Sequence, residues 1–253
     1  MRIFLKTEDE IILLRAASQL ATRALIEVGR HVVPRLALSH LRNKVVNAVM
    51  RTVPTESNSG KEALSSDTEF TFFVNGAYIE PSLEVECMLC EGDWLTVNCW
   101  VCLNGYYSFG AHTFIVGSSQ DDEPLTSTLR DMLRQVVRRA SAGHSIKEMS
   151  RTVYSLHTHD RYVLQKTFGH GVGRNRVENP ILRMNPGVNE TVLLKEGMCL
   201  VIALAFKHGR SHFIKPRLMH ESTFHNPFVP FGTTVVVRPG RPEILTSFET
   251  IVK

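Results

Sequence analysis

Apolar residues recur at helical spacing from the start of the chain, at Ile11, Leu14, Ala17, Ala21, Ala24 and Val28. Thr7 and Glu10 stand three apart just before this run, the spacing of a capping box, and predict where the helix begins. Pro34 interrupts the pattern, and Ser39 is expected to open a second helix carrying Leu41, Val45, Val46 and Val49. From Pro54 to Asp67 the chain turns polar, which predicts a loop. Strand-like sequence follows at Glu69 to Asn75, Trp94 to Leu103 and Tyr106 to Val116, with Asn104-Gly105 as a hairpin turn between the last two. Helical periodicity then returns over Leu125 to Ala140, on Leu129, Met132, Leu133, Val136 and Val137. Beyond Gly143 a further helix is predicted from Ser145 to Leu156, and strands at Tyr162 to Phe168, Met198 to Phe206 and Thr233 to Arg238.

The order is therefore two helices and strands, then two helices and strands again. Glu91-Gly92-Asp93-Trp94-Leu95-Thr96-Val97 matches Glu196-Gly197-Met198-Cys199-Leu200-Val201-Ile202, a Glu-Gly turn leading into a strand at the same place in each half. Residues 1–253 are read as one domain of α/β (α+β) class, with pseudo-repeats over about 1–120 and 121–253. Such a duplication predicts two half-sheets meeting about a pseudo-twofold axis, with a pocket at the join.

Composition narrows the setting. A hydrophobic fraction of 43% is that of a globular chain with a sizeable core. No apolar stretch is long enough to span a membrane, and the opening MRIFLKTEDE lacks the layout of a secretory signal. Five cysteines, an odd and low number, predict reduced thiols and a cytoplasmic location. The net charge of +4 permits an acidic partner without requiring one.

Three segments carry a family resemblance. Phe168-Gly169-His170-Gly171-Val172-Gly173-Arg174, with Glu178 and Pro180, resembles the G-H-G-[IV]-G-R…E-x-P signature of bacterial-type methionine aminopeptidases. Leu194-Lys195-Glu196-Gly197-Met198 resembles their L-K-x-G-M turn. Phe114-Ile115-Val116-Gly117 and Glu243-Ile244-Leu245-Thr246 resemble the ends of two family strands. The resemblance implies the pita-bread fold shared with creatinase and prolidase. It also implies five metal-ligand positions, which fall here on Asn98, Phe109, His170, Ala203 and Gly232. All four carboxylates of that set are replaced. The family's two auxiliary histidines align with Glu80 and Val177.

The resemblance thus implies a member of the fold without metal or other cofactor: a pseudoenzyme whose former site binds a peptide, a small molecule or a protein partner. Asn98, Phe109, Ala203 and Gly232 would line an apolar pocket, unless Phe109 fills the vacated space. The alternative is a metal-free lyase, cyclase, isomerase or creatinase-like hydrolase, with His170 as acid or base and Glu80 as its carboxylate. Against this stands the reading of His170 as a packed residue in a tight glycine turn, and of Glu80 as a solvated turn residue before Pro81.

Other motifs carry less specific signals. Cys87-x-x-Cys90 and Cys99-x-x-Cys102 have zinc-like spacing, but the second pair lies in a predicted strand, where an offset of three points to opposite faces. Small buried hydrophobes are the expectation. Arg130, Arg134 and Arg138, with Arg139 nearby, form a stripe that is either a solvated helix face or a surface for phosphates, nucleic acid or an acidic protein. His208, His212, His220 and His225 match no metal spacing and are expected in loops.

Overall fold

The computed structural model describes residues 2–53, 64–117, 124–156, 162–164, 166–185, 192–208 and 228–247. Helix α1 (Glu8–His31) begins at the predicted capping box. Glu10 N donates to Thr7 Oγ1 at 3.3 Å, and Thr7 N donates to the Glu10 carboxylate at 3.0 Å. Its acidic first turn and basic last turn both suit the helix dipole. Helix α2 (Leu38–Thr52) begins ahead of Ser39, because tertiary contacts and not a side-chain cap secure its end. There Leu38 N donates to Cys87 O at 2.9 Å, and Ser39 N to Glu84 O at 3.1 Å. Helix α3 covers Pro124–Arg138, and α4 covers Ile146–Leu156 behind a second capping box formed by Ser145 and Glu148. No helix among the described residues is long and apolar enough to cross a membrane.

Ten strands form one sheet. They are β1 (Glu69–Val74), β2 (Ala77–Ile79), β3 (Trp94–Leu103), β4 (Tyr106–Ile115), β5 (Tyr162–Leu164), β6 (Thr167–Gly171), β7 (Glu178–Arg183), β8 (Cys199–His208), β9 (Phe228–Val236) and β10 (Glu243–Ile244). The principal path runs β2-β1-β3-β4-β9-β8-β6-β7. Exchanging β1 to β4 for β6, β7, β8 and β9 reverses that path onto itself, the symmetry expected of a duplication. Gly92 and Gly197, at the matched Glu-Gly turns, share positive φ of 79° and 82°, a conformation that disfavours any side chain.

The predicted strand from Tyr162 to Phe168 is two strands, both paired to β8. The second continues through His170 to Gly171, so His170 sits in a sheet strand and not in a tight turn. β6 is wedged between β7 and β8, and a Cβ on Gly169 or Gly171 would collide with the Val201 or Asn179 carbonyl. Asn75-Gly76, also with positive φ at both residues, turns β1 into β2 in the same way that Asn104-Gly105 joins β3 to β4.

The larger core cluster joins one sheet face to all four helices, through residues such as Leu20, Leu25, Phe72, Phe114, Leu133 and Val153. A smaller one includes Phe109, Ala111, Val172, Cys199 and Val201. The chain's N-terminal segment is tied to the second half by Lys6 and Glu178, whose charged groups meet at 2.6 Å with both side chains 5% exposed. Removing one partner strands the other charge in a dry site. Glu178→Ala is therefore expected to lower unfolding free energy by about 3 kcal/mol, and Lys6→Met/Glu178→Leu to recover most of that loss. Urea titration measures both, and a cost below about 1 kcal/mol for the single variant would show the pair to be dispensable.

Candidate functional site

The two half-sheets meet where β4 runs beside β9, with Ala111 paired to Gly232. Threonine hydroxyls bridge the strands two residues to either side. The Thr234 hydroxyl accepts from Phe109 N and donates to Phe109 O, both at 2.9 Å. Thr113 Oγ1 donates to Pro230 O at 3.1 Å, and Thr246 Oγ1 adds a second donor to Phe109 O at 2.9 Å. Ser108 links this group to Ser18 of α1 at 2.7 Å. Every hydroxyl is buried and partnered, the condition under which buried polar groups stabilise a seam.

Asn98, Ala111, Gly232 and Ala203 form one row across this seam, each paired to the next. Phe109 lies two residues along β4 from Ala111, and Trp100 two along β3 from Asn98, so both share the row's face. His170 pairs with Val201, two residues from Ala203, and joins the same face from β6. The five positions that the resemblance assigns to metal ligands, Asn98, Phe109, His170, Ala203 and Gly232, are thus brought to one face. Trp100, which the sequence reading passed over, stands among them.

Phe109 occupies the centre. A Cβ built on Gly232 would lie 2.7 Å from Phe109 Cε1 and 3.1 Å from Ala203 Cβ, so the ring takes up the room that a longer side chain at position 232 would need. The ring is 7% exposed and packs on Trp100 at 4.7 Å between centroids. Trp100 in turn lies nearly parallel to His170, at 6.1 Å and 8°. Phe109 therefore fills the space over Gly232 and does not line an open pocket there. Asn98, Trp100, His170 and Ala203 each remain half-buried, so the face beside the ring keeps partial access to solvent. Arg176 rests over Trp100 at 5.6 Å while donating to the Glu69 carboxylate at 2.9 Å, so the cation beside this face is already paired.

Burial pushes the His170 imidazole below its ordinary pKa, against a smaller opposing effect of its bond to the Gly171 carbonyl. Nδ1 lies 2.8 Å from that carbonyl oxygen. The neutral ring therefore carries its proton on Nδ1 and its lone pair on Nε2. No carboxylate contributes to this shift. Glu80 is exposed at the cap of the short 3-10 turn Pro81–Leu83, beyond the outer strand β2, and is not joined to His170 by any contact among the described residues. Val177 is 58% exposed. The Asn98 Oδ1 atom is buried without a hydrogen-bond partner.

The remaining candidates separate. Cys99, Cys102 and Cys199 are buried, but Cys87 is half-buried and Cys90 exposed, so the description as buried hydrophobes fails for the first pair. These two lie around the turn into β3 and not within the sheet. Burial raises the Cys87 thiol to about 11 and that of Cys99 further. The arginine stripe is not uniformly solvated either. Arg130 is buried and Arg134 half-buried, because α3 turns that side toward the protein, while Arg138 and Arg139 are exposed. His208 ends β8, and His212, His220 and His225 lie outside the described residues.

Residues 12–239 match the family described as metallopeptidase family M24. The methionine aminopeptidase of Helicobacter pylori is 28% identical over 217 residues, covering 83% of this chain and 85% of the relative. That of Clostridium perfringens is 25% identical over 248 residues, covering 96% and 98%. Among solved structures, methionine aminopeptidase from Thermotoga maritima superposes with a TM-score of 0.78 at 21% identity, over 97% of this chain and 100% of that one. Prolidase from Pyrococcus furiosus gives 0.69 at 18%, over 96% of this chain and 65% of that one. At these identities the structures establish the shared pita-bread fold.

The contact of Phe109 with Gly232 predicts strong coupling. Phe109→Ala should cost about 3 kcal/mol, and Gly232→Ala about 1–2 kcal/mol through overpacking. In the double variant the added methyl enters the space that the ring left, so the combined cost should fall short of the sum by at least about 1 kcal/mol. A double-mutant cycle by denaturant unfolding reads this directly, and strict additivity would place the ring elsewhere.

Proposed function

This chain belongs to metallopeptidase family M24, and we propose that it is a binding member of that family, holding a peptide, small molecule or protein partner on the former active-site face without two-metal hydrolysis. The observation that carries this reading is the Phe109 ring, packed against Gly232 and Ala203 in the middle of the five ligand positions. Hard divalent cations are held mainly by carboxylate oxygens, which also lower the charge that the protein must accommodate. The residues at those positions offer one imidazole, one amide, one ring, a methyl group and a hydrogen. They do not fit a metal pair, and no hydrolytic step through one is derived.

The half-buried Trp100 and His170, stacked nearly parallel, suit a ligand with an apolar or aromatic part. His170 Nε2 supplies a neutral hydrogen-bond acceptor there. The metal-free enzymatic alternative finds less support, since no carboxylate among the described residues stands beside His170 and Glu80 is solvated at the edge of the sheet.

Incubation with a methionyl tripeptide should release no methionine above background, with manganese, cobalt or iron present or with a chelator. Metal-dependent turnover by the purified chain would overturn the proposal. Chelator-resistant turnover that disappears in His170→Ala would transfer the site to metal-free catalysis.

A further inference from the structure

The arginines of α3 lead to a second site, on the side of the molecule where that helix passes the turn between β9 and β10. Arg134 and Arg138, one helical turn apart, face Arg241 across a cleft of about 600 Å³. Val137, Pro242 and Ile244 supply its apolar lining. Gly240, with φ of 75°, turns the chain so that Arg241 follows, and Arg241 N closes the turn by donating to Pro239 O at 2.9 Å.

The charges in this cleft are of one sign. Arg134 is bonded to Asp131 at 2.7 Å. Arg138 and Arg241 are exposed, and no ion pair joins either to an acidic group among the described residues. No Asp or Glu lies among the described residues lining the cleft. Arg138 alone could be explained as a solvated cation at a helix C-terminus, where it suits the dipole. That explanation does not extend to Arg241, which comes from a different element, 103 positions later in the sequence (241 against 138).

We infer that this cleft binds a phosphate-rich anion. Guanidinium groups present paired donors that match phosphate oxygens two at a time, and the cations here are all arginine. The volume falls in the range of ligand sites and admits a chain of several phosphates. No aromatic side chain lines the cleft among the described residues, so recognition there falls on the phosphates. The same chemistry is offered by a free oligophosphate and by a nucleic-acid backbone. The site is separate from the face that carries Phe109 and His170, and does not depend on the function proposed for it.

The test uses the full chain at low ionic strength, with inorganic tripolyphosphate and a single-stranded twelve-residue oligonucleotide as probes. Calorimetry follows the first and fluorescence anisotropy the second. At least one should bind saturably, and Arg138→Gln/Arg241→Gln should weaken that binding at least tenfold while the melting temperature stays within about 2 °C. Both side chains are exposed, so the substitution removes charge without opening the core. For the oligonucleotide, losing two phosphate contacts should also reduce the salt slope by roughly 1.4. Lys44→Gln/Arg51→Gln, at a separate basic cleft between α1 and α2, should leave binding unchanged. Tripolyphosphate binding alone identifies a free oligophosphate as the ligand class, and oligonucleotide binding alone a nucleic-acid backbone. Failure of both probes, or binding that the Arg138/Arg241 variant retains, overturns the inference.

Discussion

Everything in this molecule is hung on the seam between β4 and β9. Each half-sheet is paired within itself, and the halves join at Ala111 and Gly232 with threonine hydroxyls taking up the backbone groups on either side. A gap at this seam would leave buried amides and carbonyls without partners, at about 1–3 kcal/mol each. Thr234 prevents that by serving both the N–H and the carbonyl of Phe109. The same residue whose backbone is held in this way projects its ring over Gly232. The joint between the half-sheets and the packing of Phe109 over Gly232 are therefore one construction.

That construction separates what the scaffold needs from what hydrolysis needs. The glycines flanking His170 are required by packing alone, since β6 runs so close to β7 and β8 that a methyl group would strike a carbonyl. Glu178, from the same signature, is occupied by Lys6 in a buried ion pair. A chain can thus keep the family's most recognisable segment for mechanical reasons, whatever stands at the positions that the resemblance assigns to metal ligands. His170 and Trp100 stay half-buried on the face that carries those positions, which keeps partial access to solvent beside the Phe109 ring.

Much of this could be read from the residues, because the relevant signals are local. The Thr7–Glu10 cap, the Asn104-Gly105 turn and the paired Glu-Gly turns each depend on neighbours a few positions away, and each stands in the structure. The ligand positions were reached through the resemblance and do meet on one face. Where the reading failed, the cause was tertiary. Ser39 is bypassed because backbone groups near Glu84 and Cys87 secure the start of α2. Arg130 has the periodicity of a solvated stripe but is buried by the packing of α3. Trp100 and Thr234 carried no signal, since nothing in their neighbours along the chain says that one will cover Phe109 and the other clasp it. Arg241 was missed for the same reason, its counterpart being a helix more than a hundred residues earlier.

The central claim is that Phe109 occupies the place that the family resemblance assigns to metal. Diffraction from crystals grown with manganese or cobalt, using the anomalous signal of the metal, tests it in one measurement. The expected map has the Phe109 ring against Gly232 and Ala203, and no anomalous peak within about 2.5 Å of His170. Two peaks roughly 3.5–4 Å apart beside His170, with the ring swung clear, would contradict the account.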